Sequence, residues 1–78
     1  MPDPKAMRVL LRSTETGRFF QSPGRWTDRL EQALDFKRGA EAIRLAYELK
    51  LQHVEILFSF ENPLYNIRLP LRPEGSGQ

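Results

Sequence analysis

The side chains with chemical capacity in this 78-residue chain are a single histidine, ten acids and twelve basic residues. Because His53 is the only histidine and cysteine is absent, a Ser-His-Asp site would have to use His53, and thiolate or multi-histidine zinc sites are excluded. Glu55 and Glu61 flank an apolar stretch, but so small a domain rarely encloses a pocket for paired carboxylates. The five glycines lack the spacing of a phosphate-binding loop. We therefore expect no enzyme, no metal and no cofactor.

Basic and aromatic residues alternate in the first half of the chain. Residues 1–40 hold eight Lys and Arg against five Asp and Glu. Arg18 precedes Phe19 and Phe20, and Arg25 precedes Trp26, an order that nucleic-acid surfaces use for phosphate contact and base stacking. The candidate nucleic-acid-binding residues are Arg8, Arg12, Arg18 and Arg25. The alternative is a solvated surface of mixed charge, with Trp26 and one of the two phenylalanines in the core.

Period-two alternation of apolar residues predicts the strands that would position these side chains. It covers residues 7–12, 54–60 and 65–71, and the second of these carries the strongest signal. Residues 18–21 are expected to form the strand that follows the first hairpin loop. Residues 13–17 end in glycine and predict a hairpin loop. Ser22-Pro23-Gly24 predicts a second turn, in which Gly24 takes a positive φ. Pro70 places the last strand at a sheet edge.

Helical spacing is clearest in residues 39–51, where an apolar arc faces a narrow polar stripe. Thr27 is a predicted N-cap for a short helical segment that precedes this helix, with apolar residues at Leu30, Ala33 and Leu34. Phe36 is expected to enter the core. Asp35 is the only candidate cap for the main helix.

These elements predict an α+β fold, a two-layer sandwich in which a ββαββ-like antiparallel sheet carries one main helix on one face. The expected core consists of Ile43, Ala46, Leu49, Val54, Ile56, Phe58 and Phe60, with Trp26 and Phe36. The other sheet face is expected to be wet, as antiparallel sheets commonly are. Leu10, Leu57 and Arg68 on that face are the candidate self-association residues, together with the apolar final strand.

Interaction with a protein partner, or with a second copy in a homodimer, is accordingly the leading functional hypothesis, and nucleic-acid binding is the alternative. We expect residues 7–71 to form a single domain between a disordered N-terminus at residues 1–6 and a disordered tail at residues 72–78. The absence of cysteine, of a signal-peptide pattern and of a long apolar run predicts a cytoplasmic protein that does not enter the membrane.

One stretch of the chain has a familiar pattern. Thr16-Gly17, Phe19-Phe20, Gly24-Arg25-Trp26-Thr27, Ala33-x-x-Phe36 and Glu41-Ala42 follow one another over about a third of the chain. In this it resembles small bacterial and phage proteins that carry no known activity. A basic hairpin followed by Phe36 and a Glu-Ala helix is also similar to the arm-type DNA-binding domains of phage integrases, which normally have three strands before the helix and more lysine.

Overall fold

A computed structural model of the protein describes residues 7–71, so the expected disorder of residues 1–6 and 72–78 lies outside the described residues. The strands are β1 (Arg8–Ser13), β2 (Phe19–Ser22), β3 (Arg25–Thr27), β4 (Val54–Ser59) and β5 (Ile67–Pro70), and the helix is α1 (Gly39–Glu48). Short 3₁₀ turns lie at Leu30–Gln32 and Pro63–Tyr65. All strand pairs are antiparallel, in the order β3-β2-β1-β4-β5. The predicted α+β class, with one main helix and an antiparallel sheet, is confirmed.

The centre of the sheet is the pair β1 and β4, which stay in register from Arg8 opposite Ser59 to Ser13 opposite Val54. Alternation sends Val9 and Leu11 of β1 toward the helix, where they join the buried cluster that includes Ala42 and Ala46. The predictions of strands at 7–12 and 54–60 were therefore correct to within a residue or two. β5 begins at Ile67 because the preceding residues form the second 3₁₀ turn.

Strand β3 was not predicted from the sequence. The turn at residues 22–24 forms as expected, with Gly24 at φ 78°, but it joins β2 to β3 instead of leading into a helical segment. Trp26 lies opposite Phe20 with the rings edge to face at 5.6 Å, and Thr27 lies opposite Phe19. Within residues 7–71 three strands thus precede the helix, and the order of elements is βββαββ. A strand of three residues is too short to show alternation.

Helix α1 ends three residues before the end of the predicted helical stretch. Lys50 adopts φ 54°, its N–H donates to Tyr47 O, and the N–H of Leu51 donates to Ala46 O. This pair of bonds is the Schellman motif, and Lys50 stands where glycine is usual. The consequence is that Leu49 is 38% exposed at the helix end, so its predicted place in the core is wrong.

Residues 28–36 form most of the connection between β3 and α1, and its structure was predicted from the sequence only in part. The expected two-turn helix is a 3₁₀ turn of three residues, and Leu30 and Leu34 are 39% and 40% exposed. Thr27 holds only the residues just before this turn, because its Oγ1 accepts a hydrogen bond from the N–H of Arg29 at 3.0 Å. Phe36 does enter the core as predicted, with its ring 6.0 Å from that of Phe20.

The second half of this connection, residues 33–36, passes between β1 and β2; we call it the crossing segment. Leu34 N–H donates to Phe20 O at 3.0 Å on the β2 side, and Phe36 N–H donates to Val9 O at 2.8 Å on the β1 side. Consistent with this insertion, β1 and β2 pair directly at Arg12 and Phe19 only. Asp35 accepts the N–H of Val9 at 3.0 Å, so the prediction that it caps α1 is wrong.

The crossing segment gives the sheet a buried cluster on each face. On the helix face the core holds Val9, Leu11, Phe20, Ala42, Ala46, Val54 and Ile56, with Trp26, Phe36, Ile43 and Phe58 among the partly buried residues against it. On the opposite face Leu10, Ala33 and Leu57 form a second cluster, with Phe19 packed against it. The predicted core named Val54, Ile56 and Phe58 of β4 correctly, but Phe60 belongs to neither cluster. The prediction also omitted Phe20 and β1, which hold four of the five largest fully buried side chains.

We expect Asp35→Ala to lower the free energy of unfolding by about 2 kcal/mol, because the fully buried Val9 loses its side-chain acceptor. Lys37 N–H, which donates to the same oxygen at 2.9 Å, loses its acceptor too. Chemical denaturation followed by circular dichroism measures the change.

Asp28→Ala is the matched control, since Asp28 is exposed in the same connection, and it should change stability by less than about 0.5 kcal/mol. Asp35→Asn keeps an acceptor oxygen and should retain most of the stability. Equal losses in the alanine variants of Asp35 and Asp28 would contradict the role assigned to the crossing segment.

Candidate functional site

Two of the four candidate nucleic-acid-binding arginines are engaged inside the protein. Arg12 Nη1 lies 2.7 Å from Glu55 Oε2, and the Glu55 side chain is only 8% exposed. Arg8 Nη2 donates to the carbonyl oxygen of Ala33 at 3.2 Å, which fastens the crossing segment to β1. Both guanidinium groups therefore stabilise the face opposite the helix.

The other two arginines are exposed but lie apart from that pair. Arg25 opens β3, opposite Ser22 and separated from β1 by β2. Arg18 precedes β2 and lines a pocket with Trp26 and Val54, which belong to the helix face. The structure consequently does not bring the four arginines into one strip.

The face that was expected to be wet is covered at its centre. Leu10 is 0% exposed and Leu57 is 7% exposed, because Ala33 and Phe19 lie over them. The prediction that these two leucines offer a self-association surface is therefore wrong. Arg68, the third residue of that set, is exposed on β5, opposite Leu57 in the strand register.

Exposed apolar side chains collect instead on β5 and on the turn that precedes it. On the helix side of the sheet, Ile67 is 52% exposed and Leu69 is 48% exposed. The turn adds Leu64 and Tyr65, at 87% and 67% exposed. β5 is the outermost strand on this side of the sheet, so its outer backbone edge has no neighbouring strand within residues 7–71.

The alternation of hydrogen bonds along β5 determines which backbone N–H and C=O groups its outer edge presents. Leu71 N–H donates to Val54 O at 3.0 Å, and hydrogen-bonded and non-bonded pairs alternate along an antiparallel ladder. Ile67 and Leu69, at two-residue steps from Leu71, therefore direct their backbone groups toward β4. Arg68 and Pro70 direct theirs outward. Pro70 has no N–H, so the donor along this edge is Arg68.

A pocket of about 280 Å³ lies where the β1–β2 hairpin meets the connection between α1 and β4. We call it the hairpin pocket. Its lining comes from three separate parts of the chain, namely Ser13, Glu15, Thr16 and Arg18 of the hairpin, Trp26 of β3, and Gln52 and Val54. Val54 is buried and Trp26 half-buried, whereas Arg18 and Gln52 are exposed, so the pocket combines an apolar floor with a polar rim.

The two walls of the hairpin pocket are tied to each other by His53. Its carbonyl oxygen accepts hydrogen bonds from the N–H and the Oγ1 of Thr14, at 2.8 and 3.0 Å. Its Nε2 lies 3.9 Å from Glu15 Oε2. His53 also adopts φ 58°, a left-handed conformation that turns the chain into β4.

The sequence did not reveal this pocket, because the residues that line it are up to forty-one positions apart. The usable signal was the pairing of the two strongest strands. If β1 and β4 pair antiparallel with Ser13 opposite Val54, the loop after β1 and the loop before β4 must meet at one end of the sheet. Period-two patterns predict strands but leave their partners open.

Within residues 7–71 no group of three or more His, Asp or Glu side chains is placed to hold a metal ion. No helix in the same range is long and apolar enough to cross a membrane. Comparison of the chain with protein-family models, with curated proteins and with solved structures gave no match.

Because the engaged arginines are structural, Arg12→Ala should destabilise the protein instead of weakening a binding surface. It leaves the buried Glu55 carboxylate without its partner, and we expect the free energy of unfolding to fall by about 3 kcal/mol. Thermal or chemical denaturation measures the loss.

Arg44→Ala is the matched control. Arg44 is 69% exposed and lies 3.8 and 3.7 Å from Glu41 and Glu48, and pairs of this exposed kind contribute about 0.5 kcal/mol or less. Joint replacement of Arg12 by Met and Glu55 by Leu should recover much of the loss, since neither charge is then left buried. A variant Arg12→Ala as stable as Arg44→Ala would contradict this account.

Proposed function

We propose that the protein is a non-enzymatic interaction module that associates with a second copy of itself through β5. The observation that carries the proposal is the half-exposed apolar side of an edge strand, Ile67 and Leu69, next to the exposed Leu64 and Tyr65. Edge strands with free backbone groups are templates for pairing with another chain.

The second copy is favoured as partner because the edge is self-complementary about a two-fold axis. The outward donor is Arg68 N–H and an outward acceptor two residues later is Pro70 O. If Leu69 of one copy lies opposite Leu69 of the other, each Arg68 N–H meets the Pro70 oxygen of the opposite copy. An isologous contact of this kind closes into a dimer and does not propagate.

Charge favours this register, centred on Leu69, over the register centred on Arg68. Centring the pair on Arg68 would place two guanidinium groups directly opposite one another, which is destabilising. Centring it on Leu69 places each Arg68 opposite Pro70 and each Leu69 opposite its own copy on the helix side. Non-hydrogen-bonded positions bring side chains closest, so the apolar contact falls at the dimer axis.

The expected dimer is weak. A strand of four residues buries much less than the about 1,200 Å² of a standard stable interface. Contacts from Leu64 and Tyr65 add area, but Pro70 removes a donor that a longer ladder would need. We therefore expect reversible association that depends on concentration.

The remaining polar groups favour a binding role over catalysis. His53, the only histidine, has a side chain that is 60% exposed, and it faces Glu15 at 3.9 Å on the surface. Among the described residues no serine or threonine hydroxyl forms a hydrogen bond with its imidazole, since the Thr14 hydroxyl bonds to the His53 carbonyl oxygen. Cytoplasmic localisation remains part of the proposal, since the chain has no cysteine.

Substitutions on β5 should move the association constant in opposite directions. Leu69→Asp places two carboxylates across the dimer axis and should abolish dimerisation, because like charges directly opposite repel. Pro70→Val supplies the missing outward N–H and should strengthen the dimer by about 1 kcal/mol for each added hydrogen bond. Sedimentation velocity over a concentration series measures both.

Leu30→Asp is the matched control, because Leu30 is similarly exposed at 39% but lies in the first 3₁₀ turn, away from β5. It should leave the sedimentation coefficient at each concentration unchanged, and circular dichroism should show that all three variants remain folded. A protein that stays monomeric at every concentration, with and without Pro70→Val, would refute self-association through this edge.

A further inference from the structure

The hairpin pocket is a second feature with the geometry of a binding site, and it is independent of β5. Its walls come from the hairpin and from the corner before β4, and the hydrogen bonds from Thr14 to His53 O hold them together at 2.8 and 3.0 Å. His53 adopts φ 58°, a left-handed conformation that forms the corner before β4. His53 lies in the chain directly between Gln52 and Val54, which both line the pocket.

We propose that the hairpin pocket binds a pyrimidine nucleotide, with the base against Trp26 and Val54 and the phosphate at Arg18. The nucleotide can be free or part of a single strand, since both present the same ring and a phosphate. The chemistry of the lining selects each part of this ligand.

Arg18 provides the anion contact. Among the ion pairs within residues 7–71 none includes Arg18, in contrast to Arg12, whose guanidinium is held by Glu55. An exposed guanidinium at the rim is free to make a charge-assisted bond to a phosphate oxygen. Glu15 at the same rim disfavours a second anionic group, so a ligand with one phosphate fits better than a polyphosphate.

Trp26 and Val54 provide the ring contact. Val54 is 3% exposed and forms an apolar floor, and the half-buried Trp26 is fixed by its edge-to-face contact with Phe20 at 5.6 Å. A fixed indole is a rigid platform for base stacking. Gln52 is exposed at the rim, and its amide has both a donor and an acceptor for the edge of a base.

The volume restricts the ligand further. At about 280 Å³ the pocket lies just below the 300–1,000 Å³ that is typical of sites for drug-sized molecules. A mononucleotide with its base, ribose and one phosphate suits that space, and the single ring of a pyrimidine suits it better than the two rings of a purine, whereas a dinucleotide cofactor does not fit.

This site differs from the basic strip predicted from the sequence in a measurable way. A strip of three or four arginines on duplex DNA implies a slope near 3 for log K against log salt, at about 0.9 per phosphate. One phosphate of a single strand at Arg18 implies a slope of about 0.7.

The test uses the full chain and the fluorescence of Trp26, its only tryptophan. Uridine 5′-monophosphate, a short oligouridylate and uridine are titrated separately at low salt. We expect saturable quenching by the two phosphate-bearing ligands and binding of uridine weaker by about tenfold, because uridine lacks the anion. Tighter binding by the oligouridylate than by the mononucleotide would identify a single strand as the ligand source, and the reverse would identify the free nucleotide.

Arg18→Ala should weaken binding of uridine 5′-monophosphate by about tenfold, to the level of uridine. Arg25→Ala is the matched control, because it removes the same charge next to Trp26 in sequence but does not line the pocket. No saturable quenching by either phosphate-bearing ligand would overturn the proposal. Equal weakening in the two arginine variants would also overturn it, because binding would then depend on general positive charge.

Discussion

The crossing segment is the constraint on which the rest of this fold depends. Val9 donates its N–H to the Asp35 side chain and accepts the N–H of Phe36, so a residue of the central strand is bonded to a loop on its β2 side. On the far side of the loop, Leu34 bonds to Phe20 O. Buried backbone groups must be satisfied, and here a connection between β3 and α1 satisfies those that a continuous β1–β2 ladder would have paired.

That insertion explains why both faces of the sheet are covered although residues 7–71 form one α-helix. Ala33 packs against Leu10 and Leu57 on the face opposite the helix, and Phe36 packs against Phe20 on the helix face. Arg8 holds Ala33 in this position, because its guanidinium donates a hydrogen bond to Ala33 O. Since burial of apolar surface is the main stabilising term for a domain of this size, covering the second face matters for stability. It also leaves the β5 edge and the hairpin end open.

The sequence predicted the parts of this structure that rest on local periodicity. β1 and β4 alternate over six residues each, and α1 has a complete apolar arc, so their types and positions could be read directly. β3 is too short for that signal, and the crossing segment depends on hydrogen bonds between residues 25 and 26 positions apart.

The arginines mark the limit of sequence reasoning at the candidate sites. Arg12 and Arg18 have the same chemistry and lie on the same hairpin, yet strand register places Glu55 directly opposite Arg12 and no acid opposite Arg18. A guanidinium becomes structural or available according to that partner, and the partner is forty-three residues away. The prediction that Leu10 and Leu57 are surface residues was wrong for the same reason, because Ala33, which lies in a distant loop, covers them.

The two open surfaces are joined by a single strand, and this determines how they can influence one another. Val54 contributes its side chain to the hairpin pocket and its carbonyl oxygen to Leu71, while Ile56 and Phe58 pair with the two exposed residues of β5. β4 is also paired along its whole length with β1, so its backbone is hydrogen-bonded to a neighbouring strand on each side. Coupling between distant sites requires an element with two arrangements, and a strand bonded on both edges does not offer one. We infer that association through β5 and occupation of the hairpin pocket are only weakly coupled, because the strand that contributes to both is hydrogen-bonded on both edges.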